Sequence, residues 1–186
     1  MSLPTATAEP AEVSAARTLA ARVLRDGGGG AALAGLGLAD EDLPVPVLLA
    51  VAEECGRAGM LDVPGGELAQ AAALVGTAAA LLDMGARYAA SRHAFGRPLA
   101  RFQVQRHAFA LAAARVAASR ALTWRAAEHG DPLDCSCALA VAADAAWLAA
   151  ETALQVHGGN GYSDEYEVSR RWTQVARVRA RIAGTR

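Results

Sequence analysis

Aromatic side chains are scarce here: Phe, Tyr and Trp make up 5% of the 186 residues, within a chain that is 53% hydrophobic. Packing therefore falls to alanine and leucine. Alanine has the best helix propensity because it loses no rotamer freedom, so an all-α fold is expected. Strand-like alternation is also missing. Cysteine is sparse and odd in number, Cys55, Cys135 and Cys137, which excludes a disulfide framework. Cys135 and Cys137 have no histidine or second cysteine pair at zinc spacing, so no metal site is expected. They read as ordinary thiols of a reducing cytoplasm. An excess of either charge is lacking too: 18 basic and 19 acidic residues leave a net charge of −1, with no nucleic-acid or membrane-surface footprint. The N-terminus, MSLPTATAEPAEVSAAR, has no basic segment followed by an apolar core and reads as no signal peptide. The longest apolar run, about residues 71–82, is short and alanine-rich and does not read as a membrane span.

The length suits one domain with a small extra lobe. Residues 1–12 are rich in Pro, Ala and Thr and read as a disordered start, although a helix fits Ala11 to Leu24. The run Gly27 to Gly30 is a flexible break; with no Gly-Lys-Ser/Thr after it, it is no phosphate loop. Leu33 to Leu43 reads as a turn-rich piece. Pro46 to Arg57 reads as a short helix that Gly56 and Gly59 end, so residues 13–64 form a short helical lobe. Residues 65–186 then carry three long helices, Glu67 to Ser91, Phe102 to Glu128 and Leu133 to Val156, and a fourth from Glu165 to Val178. Asp131 and Pro132 are an N-cap and a first helical residue. The expectation is an up-down four-helix bundle behind the lobe. Arg170, Arg171, Arg177, Arg179, Arg181 and Arg186 read as a solvated helix face; Trp124, Trp147 and Trp172 read as core or interface; His93, His107 and His129 read as surface or helix-end groups.

Two stretches are more specific than periodicity. The first runs from Tyr88 through Ser91-Arg92-His93-Ala94-Phe95-Gly96-Arg97-Pro98 to Phe102-Gln103; the second is Gln155-Val156-His157-Gly158-Gly159-Asn160-Gly161-Tyr162, with Glu165-Tyr166 and Arg170 after it. The first resembles the acyl-CoA dehydrogenase pattern of an arginine, two residues, Phe-Gly, then Phe-Gln. The second resembles that family's Gln-x-x-Gly-Gly-x-Gly-Tyr segment. Both stand in the right order on the right helices, and the resemblance runs from about residue 70 to Thr185.

That resemblance implies FAD held largely across a subunit boundary, in a homo-oligomer or beside a fuller acyl-CoA dehydrogenase subunit. It implies Arg92 at the flavin pyrophosphate, where a guanidinium donates bidentate hydrogen bonds. Phe95 would pack at the adenine end, with Gln103 in the same motif. Gln155 would sit beside the neighbouring subunit's dinucleotide, and Gly158 and Gly159 would let backbone approach it. Thr185 matches a threonine that contacts the flavin. The family's middle β-domain has no counterpart between Gly59 and Glu67, and the family's final helix has none before Arg186. The reaction also needs a carboxylate beside the acyl α-carbon. The resemblance places that base at Ala183 or at Gly66, which leaves Glu67 as a poorly aligned candidate, since one residue turns a side chain about 100° around a helix. His157 is a second weak candidate.

Three functions fit these residues. One is a non-catalytic or half-site subunit associated with acyl-CoA desaturation on a fatty acyl, steroid or polyketide substrate. Another is a stand-alone enzyme that isomerises, hydrates or cyclises an acyl or polyketide substrate in the cleft left by the missing β-domain, with Glu67, His157 and Arg92 the first polar groups to mutate. The third is a purely structural oligomerisation module.

Overall fold

The computed structural model describes residues 9–40 and 42–184. The lobe consists of α1 (Ala11–Arg25), α2 (Gly30–Gly35) and α3 (Val45–Arg57); the bundle consists of α4 (Gly66–Ser91), α5 (Gln103–His129), α6 (Pro132–His157) and α7 (Glu167–Gly184). Between α4 and α5 lies a two-stranded antiparallel hairpin, β1 (His93–Ala94) and β2 (Arg97–Pro98), with His93 opposite Pro98 and Ala94 opposite Arg97. A 3-10 turn, Leu99–Arg101, follows it, and a second, Gly158–Tyr162, joins α6 to α7. The all-α bundle with a helical lobe is thus present, and α3 passes to α4 through residues 58–65 with no intervening sheet.

Local chemistry explains most boundaries. Asp131 caps α6 by accepting from the backbone N–H groups of Leu133 (2.8 Å) and Asp134 (3.2 Å), with Pro132 at the first helical position. Gly130, at φ 67°, ends α5 in the left-handed region. Three boundaries differ from expectation. The lobe's first helix begins at Ala11, so residues 11 and 12 are helical, while residues 1–8 lie outside the described residues. Gly30 opens the short helix α2 rather than extending the glycine break. Helix α7 starts two residues later than expected and runs six residues further, through the arginine-rich segment.

The bundle core is built from alanine. Ala71, Ala142, Ala146, Ala149, Ala150 and Ala153 are fully buried with Leu74, Leu81 and Val175. Helix α4 sits at the centre, against α3, α5, α6 and α7. By length and composition α4 and α6 are apolar enough to cross a membrane, but here they pack on each other as the bundle's central pair. Arg171 departs from the expected solvated face. It is 7% exposed, pairs with Glu167 (2.6 Å) and donates to Gly56 O (3.3 Å), which ties α7 to the lobe.

The lobe is fixed to the bundle in two ways. Helices α3 and α4 cross at a glycine pair so closely that a Cβ on Gly76 would lie 1.9 Å from Glu53 O, and one on Gly56 would lie 1.9 Å from Ala73 O. Glu53, 2% exposed, accepts hydrogen bonds from Arg17 of α1 and from Arg120 and Trp124 of α5.

Cys55 is buried between these joints. Burial, with the charge of Glu54 adding to it, pushes its thiol up to about 11 from an ordinary 9.0. A raised thiol pKa means the folded state favours the protonated form. Its stabilising contribution is complete below pH 9.0 and disappears as pH climbs towards about 11. With a disulfide reagent at neutral pH, exposed Cys137 should react first and Cys55 only after denaturant is added. A third thiol reacting at native speed would show the lobe to be open.

Candidate functional site at the hairpin end of the bundle

Because neighbouring helices alternate in direction, one end of the bundle gathers the end of α4, the hairpin, the start of α5, the end of α6 and the start of α7. All 18 basic residues are arginines, and the sequence has no acidic residue between Asp83 and Glu128. Arg87, Arg92, Arg97, Arg101 and Arg106 therefore charge this corner positively. Arg92, where α4 stops, is pinned through its backbone: its N–H donates to Tyr88 O and its carbonyl accepts from Leu99 N, both at 2.8 Å. Its side chain is exposed.

Phe95 occupies the hairpin tip at φ 52°, the single non-glycine residue with positive φ among the described residues. A bulky residue in that region stores on the order of 1–3 kcal/mol of strain, a cost concentrated at ligand clamps and active sites. Its ring is 95% exposed, with only an edge contact to Phe102 at 6.3 Å. The Arg97 guanidinium lies 4.1 Å over the Phe102 ring. Gln103 opens α5 with its side chain exposed.

The second motif meets the first through Tyr88. The Tyr88 ring stacks on His157 at 4.1 Å and 26°, and Asn160 Nδ2 donates to Tyr88 Oη at 3.2 Å. His157 Nδ1 bonds Ala153 O at 2.7 Å, so that nitrogen carries the proton. Tyr166 approaches the same ring edge-on. These contacts hold the Gly158–Tyr162 turn against α4. Arg92, Phe95, Gln103, Gln155, Gly158 and Gly159 thus stand at one end of the molecule, all exposed. Gly158 takes φ 59°, while Gly159 has neither a positive φ nor any atom within 4 Å of where a Cβ would sit. Nothing inside the chain requires Gly159 to lack a side chain. The Tyr88–Asn160 contact was not anticipated; both residues lie in the quoted motifs, but no local spacing reveals a pairing 72 residues apart.

Glu67 is at the opposite end. It opens α4 and accepts from Ser136 Oγ at 2.8 Å, exposed to solvent. Ser136 and His157 share α6, and the helical rise separates them by roughly 30 Å. Glu67 and His157 are therefore not brought together and cannot serve one reacting carbon. Ala183 lies in the last turn of α7 and lines a shallow apolar depression of about 380 Å³ with Ala143, Trp147, Ala180 and Ile182. Thr185 lies outside the described residues. Among the described residues no three His, Cys, Asp or Glu side chains are placed to hold a metal.

The hairpin end offers groups that can bind phosphate and stack on a base: a run of arginines, an exposed aromatic ring and a glycine turn open to close approach, with Asp164, Glu165 and Glu167 as the carboxylates at the start of α7. For an isoalloxazine ring, no element of the described residues forms a cover.

Comparison with known proteins identifies the domain. The profile of the acyl-CoA dehydrogenase C-terminal domain matches residues 65–186. The short-chain specific acyl-CoA dehydrogenase of Megasphaera elsdenii is 34% identical over 137 residues, 70% of this chain and 36% of that protein. The (2S)-methylsuccinyl-CoA dehydrogenase of Cereibacter sphaeroides is 38% identical over 105 residues, 54% of this chain and 19% of that one. Among solved structures, glutaryl-coenzyme A dehydrogenase with glutaryl-CoA superposes with a TM-score of 0.59 at 30% identity, covering 69% of this chain and 32% of that one. Butyryl-CoA dehydrogenase from M. elsdenii gives 0.58 at 30% identity, covering 71% and 33%. The chain spans little more than a third of the length of these relatives at most. It belongs to the acyl-CoA dehydrogenase family, and residues 65–186 are its C-terminal helical domain.

Proposed function

We propose that this chain is a half-site subunit: it presents the hairpin end of its bundle to FAD held mainly by a fuller acyl-CoA dehydrogenase subunit. Arg92 would pair with the pyrophosphate, Phe95 would pack at the adenine, and Gly158 and Gly159 would give the partner's dinucleotide backbone-close access. FAD bound in such an assembly supplies the hydride acceptor for desaturating an acyl thioester. The acyl group and the base belong to the partner, since Ala183 has no proton-accepting side chain and Glu67 lies exposed and hydrogen-bonded at the far end.

The observation that carries this reading is Phe95. An aromatic ring 95% exposed on a left-handed backbone has no role in this chain's own core. Such strain is retained where something outside the chain uses it. The arginines flanking it from Arg87 to Arg106, in a stretch of sequence without an acidic residue, favour an anion.

The test is co-expression with a full-length acyl-CoA dehydrogenase subunit from the same source, reading flavin absorbance per complex through gel filtration. Arg92→Ala should weaken FAD retention by about ten- to a hundred-fold, the worth of one charge-assisted hydrogen-bonding group. Phe95→Ala should lower it with little change in the chain's own melting temperature, because alanine keeps the Cβ strained at positive φ and the ring lies outside the core. A complex that keeps its full flavin complement with both substitutions would sink the proposal.

A further inference from the structure

We propose that the hollow between α4, the end of α6 and the start of α7 binds a small zwitterion, an α-amino acid with an apolar side chain. Arg87 takes its carboxylate, and Glu167 and His157 take its ammonium. The flavin reading is not needed for this: none of Arg92, Phe95, Gln103, Gln155, Gly158 and Gly159 lines the hollow.

The hollow has a volume of about 460 Å³, within the range of small-molecule sites. Three of its polar groups are left without partners by the fold. The first is His157, 8% exposed. Its Nδ1 carries the ring proton and donates it to Ala153 O at 2.7 Å, so Nε2 is an acceptor. No described residue donates to Nε2. Among the described residues Ser119 Oγ alone is both sealed from solvent and unpaired, so Nε2 opens to the hollow. The second group is Glu167. Both bonds from Arg171, from Nε at 2.7 Å and from Nη2 at 2.6 Å, reach Oε1, which leaves Oε2 free. The third is Arg87, exposed and without a hydrogen bond or ion pair to any described residue. Arg87 and Glu167 thus line one hollow with opposite charges and do not meet.

These groups select the ligand. A simple anion suits Arg87 but sets its charge against Glu167 and gives Nε2 no donor. A simple amine suits Glu167 but leaves Arg87 unmatched and like-charged beside it. A zwitterion answers all three. Its ammonium has three N–H donors, enough for Oε2 and Nε2, and the rings of Tyr88 and Tyr166 on the same wall attract a cation. Its carboxylate accepts two parallel bonds from a guanidinium. Met84 and Val168 supply apolar wall for the side chain. An adjoining hollow of about 260 Å³ shares Arg87 and Glu167, but its other guanidiniums are occupied, Arg57 by Glu54 at 3.5 Å and Arg171 by Glu167. Asp83, exposed one turn before Arg87, forms no ion pair with it.

The experiment is calorimetric titration of the whole purified chain with L-leucine, 3-methylbutylamine and 4-methylpentanoate. The second and third keep the side chain but lack the carboxylate and the ammonium in turn. L-leucine should saturate with a Kd of about 1 mM or below, and each analogue should bind at least about ten-fold more weakly. Arg87→Met should weaken L-leucine about ten-fold and leave 3-methylbutylamine unchanged. Arg87 is exposed and unpaired, so this variant should melt like the parent. L-leucine that fails to saturate below about 20 mM, an analogue that matches it, or an Arg87→Met protein that loses the amine as much as the amino acid would each overturn the proposal.

Discussion

Gly76→Ala should lower the melting temperature by about 10 °C or more, although it adds one methyl group to a helix. On propensity alone the change is favourable, since alanine is better than glycine in a helix interior by about 1 kcal/mol. Geometry reverses the sign. The new Cβ would lie 1.9 Å from Glu53 O, 2.8 Å from its carbonyl carbon and 3.0 Å from its Cα. These atoms are backbone and cannot turn aside as a side chain does. Helix α3 would have to retreat by more than 1 Å, and its position is held from other directions. Thr77 Oγ1 donates to Gly56 O at 2.9 Å, Arg171 donates to the same oxygen, and Gly56 packs so closely on α4 that a Cβ there would lie 1.9 Å from Ala73 O. Overpacking a core ordinarily costs about 1–3 kcal/mol. A clash with rigid backbone belongs above that, at roughly 4 kcal/mol, and at about 2–4 °C per kcal/mol for this length the melting shift follows. Gly159→Ala is the matched control: with no positive φ and no atom within 4 Å, it should stay within about 0.5 kcal/mol of the parent. Thermal circular dichroism decides it. A Gly76→Ala protein melting like the control would mean that the two helices do not touch as described.

The same glycines show where sequence reading stops. Gly56, near the end of an apolar stretch, reads as a helix terminator, yet it lies within α3 and serves the crossing. A glycine that ends a helix and one that lets two helices touch look alike until the partner is known, and Gly76 stands 20 residues further on. Features settled by neighbours were legible. Asp131-Pro132 predicted the start of α6 because a cap needs only the next three residues. The hairpin tip at Phe95-Gly96 is likewise settled by adjacent residues. The two flavin-motif segments could be recognised, and their placement at one end of the bundle follows from helix lengths that periodicity gives. What joins them, Tyr88 to His157 and Asn160, was not legible, since that contact crosses 72 residues. Arg171 misled for a related reason. Among its neighbouring arginines it looks solvated, and only the fold reveals the lobe carbonyl it reaches.

Glu53 is the other residue whose sequence surroundings conceal its role, and removing it should be the costliest loss of a polar group in the molecule. Beside Glu54 on a short helix it resembles solvated charge, but it is 2% exposed. Oε1 accepts from Arg120 Nε at 2.9 Å and Trp124 Nε1 at 2.8 Å, and Oε2 accepts from Arg17 Nη1 at 2.8 Å. One carboxylate thus ties α1, α3 and α5. At Arg17, burial opposes the positive charge, but the hydrogen bond to Glu9 and the field of Glu53 outweigh it and hold the guanidinium above its ordinary pKa. Glu53→Ala would leave the Trp124 indole N–H unpaired beside a cavity and remove the buried partner that Arg17 and Arg120 share, although Arg17 keeps Glu9 and Glu54 and Arg120 is half exposed, so the cost should be roughly 2–4 kcal/mol. Glu53→Gln keeps the shape but turns an N–H towards donors, so it should recover little. The sign differs if the whole cluster is replaced. Arg17→Met, Glu53→Leu and Arg120→Met together remove the buried carboxylate with both arginines, while Glu54 keeps Arg57 and Glu9 lies at the surface, and such replacements range from neutral to stabilising. Urea unfolding of the three proteins separates the cases: two destabilised singles and a triple near the parent are expected. A Glu53→Ala protein within about 1 kcal/mol of the parent would mean that the lobe is held by its apolar contacts and the glycine crossing alone.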